Sequence, residues 1–352
     1  MFFDGRLGRM NTASKFLMGW VCGFVLLGVS RVFAGEVGAV HAGGRVIFRE
    51  GAREIGCYQA EPLSVPTGVA AVQRRGGYLH PLRTPEGHVV TGDFPADHRH
   101  HHGVWFAWTK AEWGGRATDF WNLGAGLGGV EGGEVRRVWN EGGAGCLKAG
   151  HRVVDYSSGV WDLVLEEEWE VRFGSGESGG RVFNRVDVTV GQRVAGQGAL
   201  VLPSYHYGGF AFRGLDAWSG VEGMQVLASG GVSDRTGVEG GGRVWVALTG
   251  AVGEGGGARG SVVVMGHPTN FRHPEPVRMH PKDPYFCFAP QRAGGFSLEA
   301  GKPHTVSYRL MIVDGAVSAA EADGWAREWA QVDVSERRCC TSPTSRGYFF
   351  KR

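Results

Sequence analysis

The sequence predicts an all-β protein: a large β-sandwich with one C-terminal helix. Three observations predict it. Short apolar runs alternate with polar residues at a period of two, the mark of half-buried strands. The 61 glycines, more than twice the usual share, follow no collagen-like period and cluster between those runs as turns. The remainder is rich in Val, Trp and Phe, which suit a pleated surface. No linker or repeat interrupts residues 36–335, so this stretch reads as one domain, possible because all-β units run to roughly 250 residues.

Taken in order, residues 1–34 read as a signal peptide. Arg6, Arg9 and Lys15 precede an apolar run of 14 residues, 16–29. That run is too short to span a bilayer comfortably, and a cut after Ala34 is expected. The chain is therefore expected to be exported, periplasmic or extracellular, with no stable membrane span after cleavage; an uncleaved anchor is the alternative. Strands are expected at 45–49, 161–173, 182–190, 244–248, 261–265 and 305–313. In the longest, Trp161, Leu163, Leu165, Trp169 and Val171 share one face, and Glu167 falls among them. That carboxylate is expected to meet a core arginine or to be turned out by a bulge. The glycine-rich segments 124–133 and 253–260 read as flexible hairpin connections. The spacing of Ala319, Ala320, Ala322, Trp325 and Trp329 predicts the helix, over 317–332. Residues 336–352, polar and basic around Pro343, read as a disordered tail.

The net charge of +2 shows no basic excess for tracking phosphates, so no nucleic-acid partner is expected. Of the cysteines, Cys57, Cys146 and Cys287 read as isolated thiols, and Cys339-Cys340 lie in the tail. This is not a disulfide framework.

The chemistry concentrates in four polar-aromatic blocks. The first runs from Tyr78-Leu79-His80-Pro81-Leu82-Arg83-Thr84-Pro85 to Gly87. The second is Asp97-His98-Arg99-His100-His101-His102-Gly103, continuing to Asp119-Phe120-Trp121-Asn122. The third is Tyr205-His206-Tyr207-Gly208-Gly209 through Arg213. The fourth is His267-Pro268-Thr269-Asn270, through Arg278 and His280 to Tyr285. Histidine titrates near neutrality and is the commonest metal ligand. If the second block is extended, His98, His100 and His102 share one face and His101 the other. Trp105 and Trp108 read as core, Gly208-Gly209 as a tight turn or bulge, and Arg213 and Arg278 as possible salt-bridge partners. His41, His88, His151 and His304 have no motif around them and read as surface or internally satisfied.

These blocks resemble the bacterial PmoA-like family, whose members carry the label "methane oxygenase PmoA". Arg99 stands where that family has proline, and His102 falls on a variable position. A membrane oxygenase subunit needs several spans that this chain lacks, so the resemblance is not taken to imply that activity. It implies a secreted, carbohydrate-associated protein with a galactose mutarotase-like supersandwich.

On the residues' own chemistry, His98, His100, His101 and His206 are the candidate acid–base groups. Trp121, Tyr205 and Tyr207 offer faces for a sugar ring, and Arg83, Asp97, Asp119, Arg213, Asn270 and His280 offer polar contacts. The expected function is binding and transformation of a carbohydrate or other small molecule. Two alternatives stay open. One is a divalent-metal (Zn, Cu or Fe) oxidoreductase or hydrolase using the same histidines. The other is a non-catalytic carbohydrate-binding module.

Overall fold

Two large antiparallel sheets face one another across the core. The computed structural model describes residues 35–61, 64–220 and 222–335, which belong to one compact unit. The signal-peptide reading of 1–34, the tail 336–352 and Cys339-Cys340 lie outside the described residues.

The first sheet has nine strands. From one edge it runs through Val37–Ala42, Arg45–Glu50, Arg53–Gln59, Tyr78–Leu82, Val104–Ala107, Gly209–Arg213, Tyr285–Phe288 and Glu275–Met279 to Gly242–Arg243. The second, of eight strands, begins at Met224–Ala228 and passes through Trp245–Val252, Ala258–Gly266, His304–Asp314, Arg181–Val194, Asp162–Ser178 and Ala144–Asp155 to Gly128–Glu141. A small four-stranded sheet includes Ala111–Trp113 and Ala199–Leu202.

The period-two pattern explains which side chains meet. Phe106, Phe210, Phe212, Phe286 and Phe288 point inward from the first sheet, against Trp169, Val188, Leu248, Val264 and Leu310 from the second. Trp108 joins this core, with its Nε1 donating to Gln192 at 2.8 Å. Truncating such a residue costs about 3–5 kcal/mol, because lost transfer energy and a cavity add together. The helix Ala319–Ala330 covers the outer face of the second sheet. Its Trp325, Ala326 and Trp329 pack on Trp245, Val263 and Met311. Ser318 caps it, accepting from the Glu321 backbone N–H while the Glu321 carboxylate reaches back, a reciprocal capping box.

Three local expectations are corrected. Segment 124–133 is not a free connection: the strand Gly128–Glu141 starts inside it. Gly133 is there for close approach, since a Cβ would lie 2.0 Å from the Ala60 carbonyl oxygen. In Asp162–Ser178 a register shift between Leu163 and Leu165 breaks the alternation. Leu165, Trp169 and Val171 keep the core face, while Trp161 is exposed. Glu167 is buried without a direct arginine bond: it accepts from Gln192 Nε2 at 2.6 Å and Trp169 Nε1 at 2.7 Å, and lies 3.2 Å from His151 Nδ1. His151 is accordingly an internally satisfied histidine, bonded on its other nitrogen to Tyr58.

Third, the histidine run is not extended. The His98 N–H donates to Pro95 C=O at 3.2 Å and the His101 N–H to His98 C=O at 2.8 Å, forming successive turns. The turn stacks the His98 and His101 rings at 4.7 Å and 13°. The strand-face grouping of His98, His100 and His102 is replaced by one that separates His102 from the others.

Candidate functional site

The outer face of the first sheet carries the site. Across its centre, Trp105 pairs with Ala211, Ala211 with Cys287, and Cys287 with Arg278. Two small side chains between large ones leave a depression, and loops close over it. The result is a cavity of about 310 Å³ lined by His98, His100, His101, Trp121, Asn122, His206, Tyr207, Arg278, His280 and Tyr285. That volume lies at the lower end of the roughly 300–1,000 Å³ typical of small-molecule sites, so one sugar-sized ring fits better than a chain.

Each wall has an identifiable support. Asp119 is the post for the Trp121-Asn122 corner. Its Oδ1 accepts the Trp121 and Asn122 backbone N–H groups at 2.9 and 2.8 Å, and its Oδ2 accepts Asn122 Nδ2 at 2.8 Å and the Thr109 hydroxyl at 3.0 Å. Asn122 Nδ2 also donates to the Tyr207 hydroxyl at 3.0 Å, tying this corner to the Tyr205-His206-Tyr207 loop. That loop is anchored by the fully buried Gln291, which donates to the Thr109 and Pro203 carbonyls at 3.0 and 3.1 Å. It re-enters the sheet through Gly209, at φ 111°, where a Cβ would lie 2.4 Å from the Phe288 carbonyl oxygen.

The histidines occupy distinct environments. His98 Nδ1 lies 3.1 Å from Asp97 Oδ2 and 3.3 Å from Asp283 Oδ2. Both are ion-pair contacts, off the direction of a formed hydrogen bond. Arg213, buried behind them, binds Asp216 at 2.8 Å and sits 3.8 Å from both Asp97 and Asp283. Desolvation works against the charge on Asp97, but the His98 contact and Arg213 outweigh it and hold its carboxyl below the usual range.

Burial pushes His100 down to about 4, with His98 and His102 adding to the effect, and lowers His101 well below its ordinary value. Desolvation also lowers His206, assisted by Arg278 and Arg292, and lowers His280 against the pull of Asp283. These four are thus neutral imidazoles near pH 7. In His280, Nδ1 accepts the Asp283 backbone N–H at 2.8 Å; that hydrogen is fixed by the peptide plane, so Nε2 carries the ring proton.

The structure therefore brings together His98, His100, His101, His206, Trp121, Tyr207 and His280 in one cavity. Asp97, Asp119 and Arg213 act behind the wall. The Tyr205 ring lies beside those of His206 and Tyr207, tilted at 4.4 Å and edge-on at 4.9 Å, without lining the cavity. Arg83 and Asn270 stand elsewhere. Arg83 contacts Glu54 at 3.7 Å and the Gly87 carbonyl at 3.1 Å. Asn270 is buried, donating to the Ser307 carbonyl at 2.9 Å and to Glu275 at 3.2 Å. His102 is also a scaffold group, 2.6 Å from Asp93 and stacked on Tyr78. Trp105, read as core, is fully buried in a cluster that underlies the site, 5.1 Å from both the His101 and Trp121 rings.

Sequence reasoning passed over Asn122, Tyr285 and Gln291 as individual residues. Asn122 and Tyr285 stood in the motif blocks; Gln291 carried no signal. It also read Arg278 as a possible salt-bridge partner, which it is, 3.2 Å from Glu239, but did not place it in the cavity wall.

His98, His280 and Asp283 offer three ligand atoms within 4.8 Å of one another, a possible cation set. It is a poor fit: the His280 Nδ1 lone pair is already used, and Arg213 sits 3.8 Å from the Asp283 oxygen.

The family model for DUF6807 matches residues 46–327, most of the chain. The chain belongs to DUF6807, a family of unknown function. This corrects the PmoA-like assignment expected from the motifs, which no family model or curated protein supports. The motifs are short segments, whereas a family model scores the whole domain. No curated protein matches the sequence.

Among solved structures, the fold is similar to a proposed kojibiose phosphorylase from the human microbiome, at 8% identity and TM-score 0.35, over 85% of this chain and 33% of that one. It is also similar to a galactose mutarotase related enzyme from Lactobacillus acidophilus, at 8% identity and TM-score 0.32, over 80% and 98% of the two chains. A galactose mutarotase-like protein from Lactobacillus casei matches at 9% identity and TM-score 0.32, over 78% and 99%. This chain spans about a third of the length of the first of these. Likeness at this distance fixes no activity. Among the described residues, no helix is long and apolar enough to cross a membrane.

Proposed function

We propose that the cavity binds a single carbohydrate ring and transforms it by proton transfer between histidines. The observation that carries this reading is the convergence of five imidazoles and three aromatic side chains on one ring-sized cavity. Trp121, Tyr207 and Tyr285 offer apolar faces to C–H surfaces, and the imidazoles and Asn122 meet hydroxyls.

His98 is the proton acceptor in this proposal. Two carboxylates lie within 3.3 Å of Nδ1 and hold the ring in place, leaving Nε2 to exchange a proton with the ligand. His206, on a separate loop, returns a proton from its minor imidazolium form, while His100 and His280 bind hydroxyls and the stacked His101 holds His98 in place. Ring opening is the simplest reaction these groups support. The anomeric hydroxyl loses its proton to one imidazole, the ring C–O bond breaks, and the ring oxygen gains a proton from the other. The atoms balance without a further reactant. With the leader read from the sequence, this activity would belong to an exported protein.

Exchange NMR on a panel of monosaccharides tests the reading. Wild type accelerates exchange between ring forms, and His98→Gln and His206→Gln lose the acceleration. Full acceleration in both variants overturns the assignment. Saturable binding with no acceleration for any sugar gives the site to a binding module.

A divalent-metal reading has one observation behind it, the triad of His98, His280 and Asp283. Elemental analysis of the isolated protein decides it: stoichiometric Zn, Cu or Fe that disappears in Asp283→Asn supports it, and a metal-free active protein removes it.

A further inference from the structure

We propose that the substrate is a sugar bearing one carboxylate, a uronate, and that Arg278 receives that carboxylate. The inference rests on the carbohydrate reading above and names its substrate class.

The first support is the charge of the wall. Among the ten lining residues Arg278 brings the one guanidinium, and there is no carboxylate. The acids nearby are already engaged. Asp119 accepts four hydrogen bonds from its own corner. Asp97 and Asp283 face His98 and Arg213. Glu239 accepts the Met279 backbone N–H at 2.6 Å and an Arg292 nitrogen at 2.7 Å. A ligand entering this space meets imidazole and guanidinium donors, with no acid among the lining residues.

The second support is the state of Arg278 itself. It uses Nη1 alone on the protein, 3.2 Å from Glu239 Oε1 and 3.3 Å from the Met279 carbonyl. Glu239 is shared with Arg292, so one carboxylate faces two guanidiniums and a positive charge is left over. The rest of the Arg278 fork has no protein partner among the described residues. A guanidinium fork matches a carboxylate in geometry and charge. Arg278 also stands on a strand, paired in register with Cys287, so its position is set by the sheet rather than by a mobile loop.

The third support is electrostatic economy. Four neutral imidazoles contribute N–H donors without adding charge, so a single excess cation suits a monoanion. A phosphate dianion would call for more. A carboxylate seated here would also pull His206 and His100 back toward their ordinary pKa, the range in which imidazole exchanges protons readily near pH 7.

Calorimetric titration of the full protein with matched pairs tests this: galacturonate against galactose, glucuronate against glucose, with glucose 6-phosphate as the phosphate arm. The uronates are expected to bind at least about tenfold more tightly than their neutral partners, as a charge-assisted fork requires. That advantage should shrink as salt rises and disappear in Arg278→Met, with Arg278→Lys intermediate. Equal binding of uronate and neutral sugar, an advantage that survives in Arg278→Met, or tighter binding of the phosphate overturns the proposal while the carbohydrate reading stands. Binding of none of the five overturns both. If Arg278→Met fails to fold, the wild-type pairs and their salt dependence still decide.

Discussion

Glu275 offers a sharp test of the energetics, because it is a fully buried acid at the start of the strand that carries Arg278. It faces the core and accepts from the Tyr308 hydroxyl at 2.8 Å and from Asn270 Nδ2 at 3.2 Å, with no cation among its hydrogen-bond partners. Desolvation dominates those two bonds and raises its pKa from 4.5 to about 7. A folded-state value above the unfolded one means that the folded protein holds its proton longer. The stabilising contribution is therefore complete below pH 4.5 and is lost as pH rises through about 7. A shift of this size corresponds to about 3 kcal/mol, at 1.36 kcal/mol per unit. Replacing Glu275 with Gln removes the titration. Urea unfolding of wild type and Glu275→Gln between pH 4.5 and 8 reads it out. The difference in unfolding free energy should move by about 3 kcal/mol in favour of the variant as pH rises. Parallel curves across that range would refute the argument, since they would mean that Glu275 titrates alike in both states.

The histidine run should separate by role. His102→Ala is expected to destabilise the fold by about 1–3 kcal/mol, because it strips the partner from Asp93 in a buried setting. His100→Ala should leave the melting temperature nearly unchanged and weaken sugar binding; calorimetry with thermal melts checks both. Asp119→Ala, which releases four hydrogen bonds at the Trp121-Asn122 corner, should lower affinity and loosen that loop in hydrogen exchange. The depressed imidazoles make the opposite contribution to Glu275. As pH falls from 6.5 toward 4 the unfolded chain protonates first, so stability declines, and His100→Gln should soften that decline in a pH series of melts.

Much of the scaffold was legible in the sequence because alternation is a local property. The strands around 182–190, 261–265 and 305–313 lie inside the observed ones, Arg181–Val194, Ala258–Gly266 and His304–Asp314, and the helix differs by about a turn. The misreadings come from non-local causes. A bulge at Leu163/Leu165 shifted Trp161 to solvent, and Gly133 was glycine for contact with Ala60, not for flexibility. The motif blocks suggested the candidate site, and three of the four do meet there. What could not be read was which side chains those blocks would turn inward. Arg213 and Asn270 follow their motifs closely yet serve the scaffold. Arg278 became a wall residue because sheet order places Glu275–Met279 beside Tyr285–Phe288. Gln291, with no motif, fixes a whole loop through two carbonyls.

The central claim is that one cavity of histidines and aromatic rings receives a sugar. The most direct measurement is a titration of protein labelled with ¹⁵N at histidine, following the imidazole signals as monosaccharides and uronates are added. The account predicts saturable shifts at His98, His100, His101, His206 and His280, with His102 and His151 unmoved. Shifts confined to other histidines, or none with any sugar, would contradict it.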